Sequence, residues 1–216
     1  IGEDNMMKLY IYEHCPFCTR ARMIVGLKCL PVTLEVVMEG DAKTPIRLIG
    51  KKALPILRKD DGSHIGESLD IVRYLDSLGP TALLAPQDRA LDEWIKEVWP
   101  TALRLFIPRF VEGNFAEIAT PEAKQAYRQR EELAFGNLEM LREAMPKLLA
   151  SIQPMLEALA PLVAERKALG INDITLWPVL RSLSIVREIE FPKLVRDYME
   201  RLSDSCGVPL LFEHHG

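Results

Sequence analysis

The two cysteines of the motif Cys15-Pro16-Phe17-Cys18 are the side chains best placed for chemistry in this 216-residue sequence. An apolar-alternating run precedes the motif and a helical pattern follows it, so the pair lies at a predicted strand-to-helix turn. The free N–H groups and the dipole at a helix N-terminus favour a thiolate over a thiol. Proline suits the first helical position, where its missing N–H costs nothing. We therefore expect Cys15 to be a nucleophile with a low pKa, and Cys18 to be its resolving partner with a nearly normal pKa.

A Cys-x-x-Cys pair can also be half of a zinc site or a structural disulfide. A structural zinc usually takes four ligands from two spaced pairs. The other cysteines, Cys29 and Cys206, are isolated, and His64, His214 and His215 show no ligand spacing. A disulfide that closes so short a loop would constrain the unfolded chain little. The pattern therefore favours a redox pair and predicts no metal site.

Composition limits the class of protein and its partners. The chain has 31 acidic and 27 basic residues, a net charge of -4 with mixed signs, which argues against nucleic acid as a partner. No apolar run reaches the ~18 residues of a membrane span, and the acidic first residues lack the apolar segment of a signal peptide. Four cysteines do not make a disulfide scaffold. We expect a cytoplasmic protein in which Cys-x-x-Cys is catalytic.

The first part of the chain predicts an α/β unit. A strand, a helix and a strand within about thirty residues form a βαβ unit, so these two strands should be parallel. A short helix, a β-hairpin and a longer helix follow. The predicted ranges are strands Lys8–Tyr12 and Val32–Met38 around a helix from Pro16 to Lys28, a helix with Thr44 as N-cap and Pro45 at N1, strands Ala53–Arg58 and His64-Ile65, and a helix from Glu67-Ser68 to Leu78.

From Thr81 onward the pattern is helical, with apolar residues every three or four positions and no convincing strand. The predicted helices start at Asp88 (kinked at Pro100), at Thr120 as one long helix up to Pro146, at Pro154, at Asp173, and with Pro192 at N1. The sequence thus predicts an α/β domain at residues 7–79 and a helical domain at residues 87–212, joined by the linker Gly79–Pro86. We assign Trp94, Trp99 and Trp177 to core and interdomain packing, and expect the helical domain to form one wall of the active-site cleft.

The order of elements, with Cys-Pro-Phe-Cys after the first strand, resembles the glutaredoxins. Leu54-Pro55 resembles the cis-proline turn of the thioredoxin fold, and Glu67-Ser68 resembles a motif of glutathione transferases. The runs Met7–Tyr12, His14–Pro16 and Ala21–Ile24 closely resemble the atypical two-domain glutaredoxins of bacteria. The resemblance covers nearly the whole chain, most strongly up to about residue 80. It implies an α/β, thioredoxin-like domain followed by an all-helical domain like that of glutathione transferases.

The resemblance also implies an activity, that of a glutathione-dependent thiol-disulfide oxidoreductase. Glutathione would be the reducing co-substrate, and the substrates would be glutathionylated or disulfide-containing proteins. Cys15 would attack the disulfide, and Cys18 would resolve the protein mixed disulfide that forms. A monomer is expected, without nucleic acid, membrane or metal.

Seven residues would bind glutathione according to the resemblance. The Leu54 backbone would pair with the cysteinyl backbone of glutathione. Glu67 suits the ammonium of the γ-glutamyl end, and Ser68, at a helix N-terminus, suits its carboxylate. Lys51 or Lys52 could meet the glycine carboxylate. Four of these residues also have a structural explanation: Pro55 as a turn proline, Ser68 as a helix cap, and Lys51 and Lys52 as surface lysines. The full set is Pro16, Phe17, Lys52, Leu54, Pro55, Glu67 and Ser68.

Two positions depart from the family pattern. Phe17 replaces the usual tyrosine, which keeps the ring but loses a hydroxyl. Gly170 occupies the N-cap position where relatives have Ser or Thr, while Asp173 is kept, so we predict a less stable start of that helix. Among the remaining residues, we expect Arg22 to form a surface ion pair, and His14 either to tune the pKa of Cys15 or to face solvent. Cys29 and Cys206 are given no role.

Two other functions fit the same fold: a glutathione transferase or dehydroascorbate reductase, and a non-catalytic binding module. Conjugation normally needs a hydroxyl or a single thiol beside the glutathione sulfur, so Cys18 favours disulfide exchange. The intact set of Cys15, Pro55 and Glu67-Ser68 argues against a non-catalytic module.

Overall fold

The computed structural model describes residues 6–79, 85, 88–164, 166 and 168–214. Its first part combines four strands with three helices, and the remainder is helical. The elements are β1 Met7–Ile11, α1 Pro16–Leu27, β2 Val32–Val36, α2 Lys43–Ile49, β3 Ile56–Arg58, β4 His64–Ile65, α3 Ser68–Ser77, α4 Arg89–Phe110, a 3₁₀ helix Ala116–Ile118, α5 Pro121–Phe135, α6 Leu138–Glu143, α7 Met145–Ala164, α8 Ile171–Leu183 and α9 Lys193–Cys206.

The four strands form one sheet in the order β2-β1-β3-β4. β1 pairs in parallel with β2, β3 runs antiparallel to β1, and β4 runs antiparallel to β3, which confirms the predicted βαβ unit and hairpin. Successive side chains of β1 point to opposite faces. Leu9 and Ile11 join the main core with α1 and α3, while Tyr10 and Tyr12 belong to a smaller cluster with residues of α2. The sheet is therefore covered on both faces.

The helical part packs directly against α1, the helix that starts at the cysteine motif. α8 and α9 contact α1, and α8 also contacts α4. Gly26 permits this close packing, because a Cβ at this position would overlap the backbone of Cys206 at the end of α9. Trp177 of α8 is fully buried and donates its indole N–H to the Met199 carbonyl at 2.9 Å. One continuous core therefore joins α1 to the helical part.

α7 is the one helix in the described part of the chain with the length and composition of a membrane span. Its buried residues include Ile152, Leu156 and Leu159, which belong to the main core. The helix contacts α4 and α9. These contacts account for the buried apolar residues of the helix as core packing.

The prediction of one long helix from Thr120 to Pro146 is wrong. α5 ends at Phe135, where Gly136 takes a φ of 81°, a conformation that side-chain-bearing residues rarely adopt. Asn137 then caps α6 by accepting hydrogen bonds from the backbone N–H groups of Glu139 and Met140. Leu133, which the prediction placed on the apolar face, is 91% exposed. Single-sequence periodicity missed a break that one glycine and one N-cap residue produce.

Three further helix starts differ from the prediction. α2 begins at Lys43, and Ala42, not Thr44, is its N-cap residue. The carboxylate of the preceding Asp41 accepts the N–H groups of Lys43 and Thr44 at 2.9 and 3.0 Å. α7 begins at Met145 and continues through Pro154, where a new helix was predicted. Pro192 is the N-cap of α9 instead of its first residue.

At the start of α8, where Gly170 is the N-cap residue, the side chain of Asp173 makes several hydrogen bonds. Asp173 accepts the Gly170 N–H at 2.7 Å, which is the remaining half of the capping box. Arg166 binds the same carboxylate through two nitrogens at 2.9 and 2.7 Å, and the Tyr198 hydroxyl donates to it at 2.7 Å. Asp173 is thus held by three partners. The lower stability predicted for this helix start stays a prediction.

The predicted linker Gly79–Pro86 lies outside the described residues except for Gly79 and Ala85. Ala85 forms a bridge with Gly170, and its N–H donates to the Leu169 carbonyl at 2.8 Å. The described end of the connection is thus attached beside the start of α8.

Candidate active site

Cys15 is the N-cap residue of α1, with Pro16 in the first helical turn. Its carbonyl accepts the backbone N–H and the hydroxyl of Thr19, both at 3.0 Å. The Cys15 side chain is half-buried and lines a cleft, whereas Cys18 is fully buried one turn into the helix. The Tyr12 N–H donates to the Cys18 sulfur at 3.4 Å. Both cysteines are free thiols, so the pair is in its dithiol form.

The two thiols differ in acidity. A hydrogen bond from Cys18, the charge of His14 and the backbone N–H groups of Cys18 and Phe17 lower the pKa of Cys15 to about 6, against the opposing effect of burial. Burial, followed by the hydrogen bond and the charge of Cys15, raises the pKa of Cys18 well above its ordinary value. The low pKa predicted for Cys15 is confirmed, and the nearly normal pKa predicted for Cys18 is wrong. At neutral pH the site therefore favours a thiolate at Cys15 beside a protonated thiol at Cys18.

A cleft of about 560 Å³ lies between the α/β part and the helical part, with Cys15 in its wall. The predicted contribution of the helical part to this wall is confirmed. The helical side is mainly aromatic and aliphatic, with one ion pair. The α/β side supplies Tyr12, His14, Cys15, Pro16, Phe17, Pro45, Lys52, Ala53 and Leu54, and the helical side supplies Trp99, Leu103, Phe106, Ile107, Phe110, Tyr127, Arg130, Glu131 and Phe135.

The predicted glutathione residues fall into two groups. Pro16, Phe17, Lys52 and Leu54 line the cleft together with Cys15. The Leu54–Pro55 peptide bond is cis, and Pro55 is buried behind the cleft wall. Glu67 and Ser68 are not part of the wall but form the start of α3.

The start of α3 presents polar groups that match the ends of an amino acid. Glu67 is exposed, and its carboxylate pairs with Lys51 at 2.5 Å. The Ser68 hydroxyl accepts a hydrogen bond from Arg20 at 3.3 Å. The first backbone N–H groups of a helix are available to an anion. Lys51 is thus engaged with Glu67, while Lys52 is the lysine that reaches the cleft.

Arg20 is a residue that sequence reasoning missed. Its guanidinium lies 4.7 Å from the centre of the Phe17 ring and also contacts Ser68. It thereby places a cation between the cysteine motif and the start of α3. The signal in the sequence was a basic residue in the second turn after Cys15, which alone is too common to single it out.

His14 and Arg22 are placed differently from their predictions. His14 does not face solvent: it is 4% exposed, and its Nδ1 lies 2.6 Å from Glu117. Its charge lowers the pKa of Cys15, which confirms the other predicted role. Arg22 does not form a surface ion pair but donates to the Glu13 carbonyl at 3.3 Å in a largely enclosed position.

Two arginines of the helical part also bind the α/β part around the motif. Arg130 pairs with Glu39 at 2.8 Å, and its guanidinium lies 5.6 Å from the Tyr12 ring centre. Arg181 is 2% exposed and donates to the Glu13 carbonyl at 3.0 Å and to the Thr19 hydroxyl at 3.3 Å. Burial lowers the pKa of Arg181 to about 9. These contacts fix the loop between β1 and α1.

Among the described residues, no group of three or more His, Cys, Asp or Glu side chains is placed to hold a metal ion.

Comparison with known proteins follows the same division of the chain. The family model for the N-terminal domain of glutathione S-transferases matches residues 9–82, and that for the C-terminal domain of glutaredoxin 2 matches residues 90–214. Glutaredoxin 2 of Escherichia coli K12 is 40% identical over 210 residues, which cover 95% of this chain and 98% of the relative. This chain belongs to the glutaredoxin 2 family. The family resemblance read from the sequence is therefore confirmed.

The solved structures support the same fold. Glutaredoxin 2 of Salmonella typhimurium, solved in complex with glutathione, superposes with a TM-score of 0.94 at 38% identity, covering 98% of this chain and 100% of that one. A glutathione S-transferase of Ceriporiopsis subvermispora, also solved with glutathione, reaches a TM-score of 0.69 at 18% identity, covering 94% and 97%. The second likeness concerns the fold alone. The predicted fold class, a thioredoxin-like domain followed by a helical transferase-like domain, is confirmed.

The acidity of Cys15 can be measured by alkylation in a Cys29→Ser protein, which removes the exposed thiol. The rate of reaction with iodoacetamide should rise about tenfold per pH unit and level off above about pH 6, because only the thiolate reacts. Cys18→Ala should move the midpoint to higher pH, since it removes the hydrogen bond that lowers the pKa of Cys15 most. Cys206→Ala is the control and should leave the midpoint unchanged. A midpoint of about 8.5, the value of an unperturbed thiol, would contradict this description.

Proposed function

We propose that this member of the glutaredoxin 2 family is a glutathione-dependent thiol-disulfide oxidoreductase that reduces glutathione mixed disulfides and protein disulfides. The observation that carries the proposal is the pairing of a low-pKa Cys15 at the cleft with a buried, protonated Cys18. A thiolate attacks disulfides, and a neighbouring thiol held in reserve can resolve the product.

Reduction of a protein disulfide uses both cysteines. The Cys15 thiolate attacks one sulfur of the substrate disulfide, a new S–S bond forms, and the displaced sulfur leaves as a thiolate that takes up a proton. Cys18 then loses its proton and attacks the Cys15 sulfur, which releases the reduced substrate and closes a Cys15–Cys18 disulfide. Two molecules of reduced glutathione reopen it, and they leave as one molecule of glutathione disulfide.

Reduction of a glutathione mixed disulfide needs only Cys15. The thiolate attacks the glutathione sulfur, the substrate thiol leaves, and Cys15 carries glutathione. A second glutathione attacks the sulfur of the bound glutathione, which restores the Cys15 thiolate and releases glutathione disulfide. Bonds and electrons balance without a metal or any further cofactor.

The glutathione site consists of Pro16, Phe17, Lys52, Leu54, Pro55, Glu67 and Ser68. The polar groups at the start of α3 support the γ-glutamyl end of this site. Glu67 would exchange Lys51 for the ammonium, and the Ser68 hydroxyl and N–H groups would meet the carboxylate. Lys52, which is exposed at the cleft, would meet the glycine carboxylate.

We place the activity in a cytoplasmic monomer with domains at residues 7–79 and 87–212. Its protein substrates would be disulfide-containing or glutathionylated chains, without nucleic acid or membrane. The mixed surface charge and the Cys-x-x-Cys pair support this assignment. The alternatives are conjugation of glutathione and reduction of dehydroascorbate, and a conjugation assay on the same variants tests the first of them.

The two thiols can be separated by comparing variants on two substrates. Cys15→Ser should abolish activity on both, since the attacking thiolate is gone. Cys18→Ser should keep much of the reduction of a small glutathione mixed disulfide and lose at least about tenfold on a protein disulfide, because the resolving thiol is missing. Glutathione-coupled reduction of both substrates is the measurement, with a conjugation assay beside it. Equal loss on both substrates in Cys18→Ser, or an active Cys15→Ser protein, would count against the proposal.

The γ-glutamyl site can be tested with two acidic residues at the start of α3. Glu67→Gln should raise the KM for glutathione several-fold with little change in kcat, because binding of the ammonium is lost in the ground and transition states alike. Asp70→Asn is the matched control: Asp70 lies in the first turn of α3 but pairs with Arg73 at 2.9 Å. Equal effects of the two substitutions on the KM for glutathione would contradict the assignment of Glu67 to the glutathione site.

A further inference from the structure

The contact between His14 and Glu117 joins the two parts of the molecule next to the nucleophile. Glu117 belongs to the 3₁₀ helix Ala116–Ile118 of the helical part, and His14 directly precedes Cys15. One carboxylate oxygen of Glu117 lies 2.6 Å from His14 Nδ1 and accepts the His14 backbone N–H at 2.9 Å. Glu117 is fully buried, and His14 is 4% exposed. The pair is therefore shielded from solvent on both sides.

Aromatic rings enclose the imidazole of His14. The centres of the Tyr12, Phe110, Phe115 and Tyr127 rings lie 5.0 to 5.8 Å from its own centre. An imidazolium in such surroundings is destabilised by burial unless an opposite charge lies close to it. Glu117 supplies that charge. The second oxygen of Glu117 is buried and has no hydrogen-bond partner in the described part of the chain. The carboxylate therefore interacts with His14 through its first oxygen.

The other groups around His14 do not replace Glu117. Glu39 lies farther away, 4.0 Å from Nε2, and its carboxylate is already paired with Arg130 at 2.8 Å. Burial raises the pKa of Tyr12 and of Tyr127, so both hydroxyls stay neutral. Two cations also lie within electrostatic range of Glu117, namely Arg22 of α1 and Arg181 of α8.

The acidity of Glu117 agrees with this geometry. Burial would raise the pKa of its carboxyl, but the hydrogen bonds and the charge of His14 outweigh burial and hold it below the usual value. The carboxylate is thus ionised where it meets the imidazole. A positive charge on His14, in turn, favours the thiolate of the next residue, Cys15.

We propose that Glu117 is a positioning residue of the helical domain that keeps His14 in its imidazolium form and so makes Cys15 a better nucleophile. The inference rests on the proposed role of Cys15 as the attacking thiol. It assigns to the helical domain a part in the chemistry, because the α/β domain alone lacks this carboxylate. Glu117 touches neither substrate nor sulfur and acts only through His14.

The test compares the alkylation profiles of Cys15 with and without Glu117, in the Cys29→Ser protein and without any glutathione. Glu117→Gln keeps the shape of the side chain and removes its charge, and it should raise the pH midpoint by about one unit. Glu188→Gln is the matched control, because Glu188 pairs with Arg109 at the surface, and it should leave the midpoint unchanged. In a His14→Asn protein, whose own midpoint should be raised, adding Glu117→Gln should change nothing further.

Two results with the variants would overturn the proposal. One is an unchanged midpoint in a Glu117→Gln protein whose circular dichroism and unfolding midpoint show that it is folded. The other is a full additional shift when Glu117→Gln is added to His14→Asn. If Glu117→Gln does not fold, the ring ¹⁵N signals of His14 in the native protein test the proposal instead. Both ring nitrogens should carry protons over the pH range in which Cys15 ionises, and a neutral ring would refute the proposal. If Glu117→Gln raises the midpoint as expected but the native protein does not reduce disulfides, the proposed function is refuted and this inference is not.

Discussion

The structure depends on one constraint, that a thiolate must be stabilised without being neutralised. At the N-cap of α1, no side chain caps the helix, and Pro16 in the first turn has no N–H that would need a partner. Hydrogen bonding from the Cys18 thiol and from the backbone N–H groups of Cys18 and Phe17 lowers the pKa of Cys15. A hydrogen-bonded thiolate stays available for attack, whereas one bound to a metal or closed in a disulfide does not. The reactivity of the site follows from this arrangement.

The loop that carries Cys15 is held from both sides of the molecule. Within the α/β part, β1 and α1 bracket it. From the helical part, Arg181 binds the Glu13 carbonyl, and the Ala116 N–H donates to the Glu13 carboxylate at 2.8 Å. These contacts belong to one continuous core, in which α8 and α9 cover α1. Positioning of the nucleophile is thus shared by the two parts of the chain, although the motif lies in only one of them.

Local features were predictable because each depends on neighbouring residues. The cysteine motif at a strand-to-helix turn, the helix starting at Glu67-Ser68 and the β-hairpin that precedes it all follow from short-range backbone preferences. The pKa of Cys18 was mispredicted because burial depends on residues far along the sequence. His14–Glu117 and Glu39–Arg130 were missed for the same reason, since nothing in the local sequence shows which distant side chain will pack there. The break at Gly136 was missed because an interior glycine is compatible with a helical pattern.

The most direct test of the account is to locate glutathione after reaction of a Cys18→Ser, Cys29→Ser protein with glutathione disulfide. Mass spectrometry of the intact chain should show one bound glutathione, and peptide mapping should place it on Cys15. The remaining thiol, Cys206, is buried and should stay unmodified. A chain without bound glutathione, or with glutathione on Cys206, would contradict the assignment of Cys15 as the nucleophile.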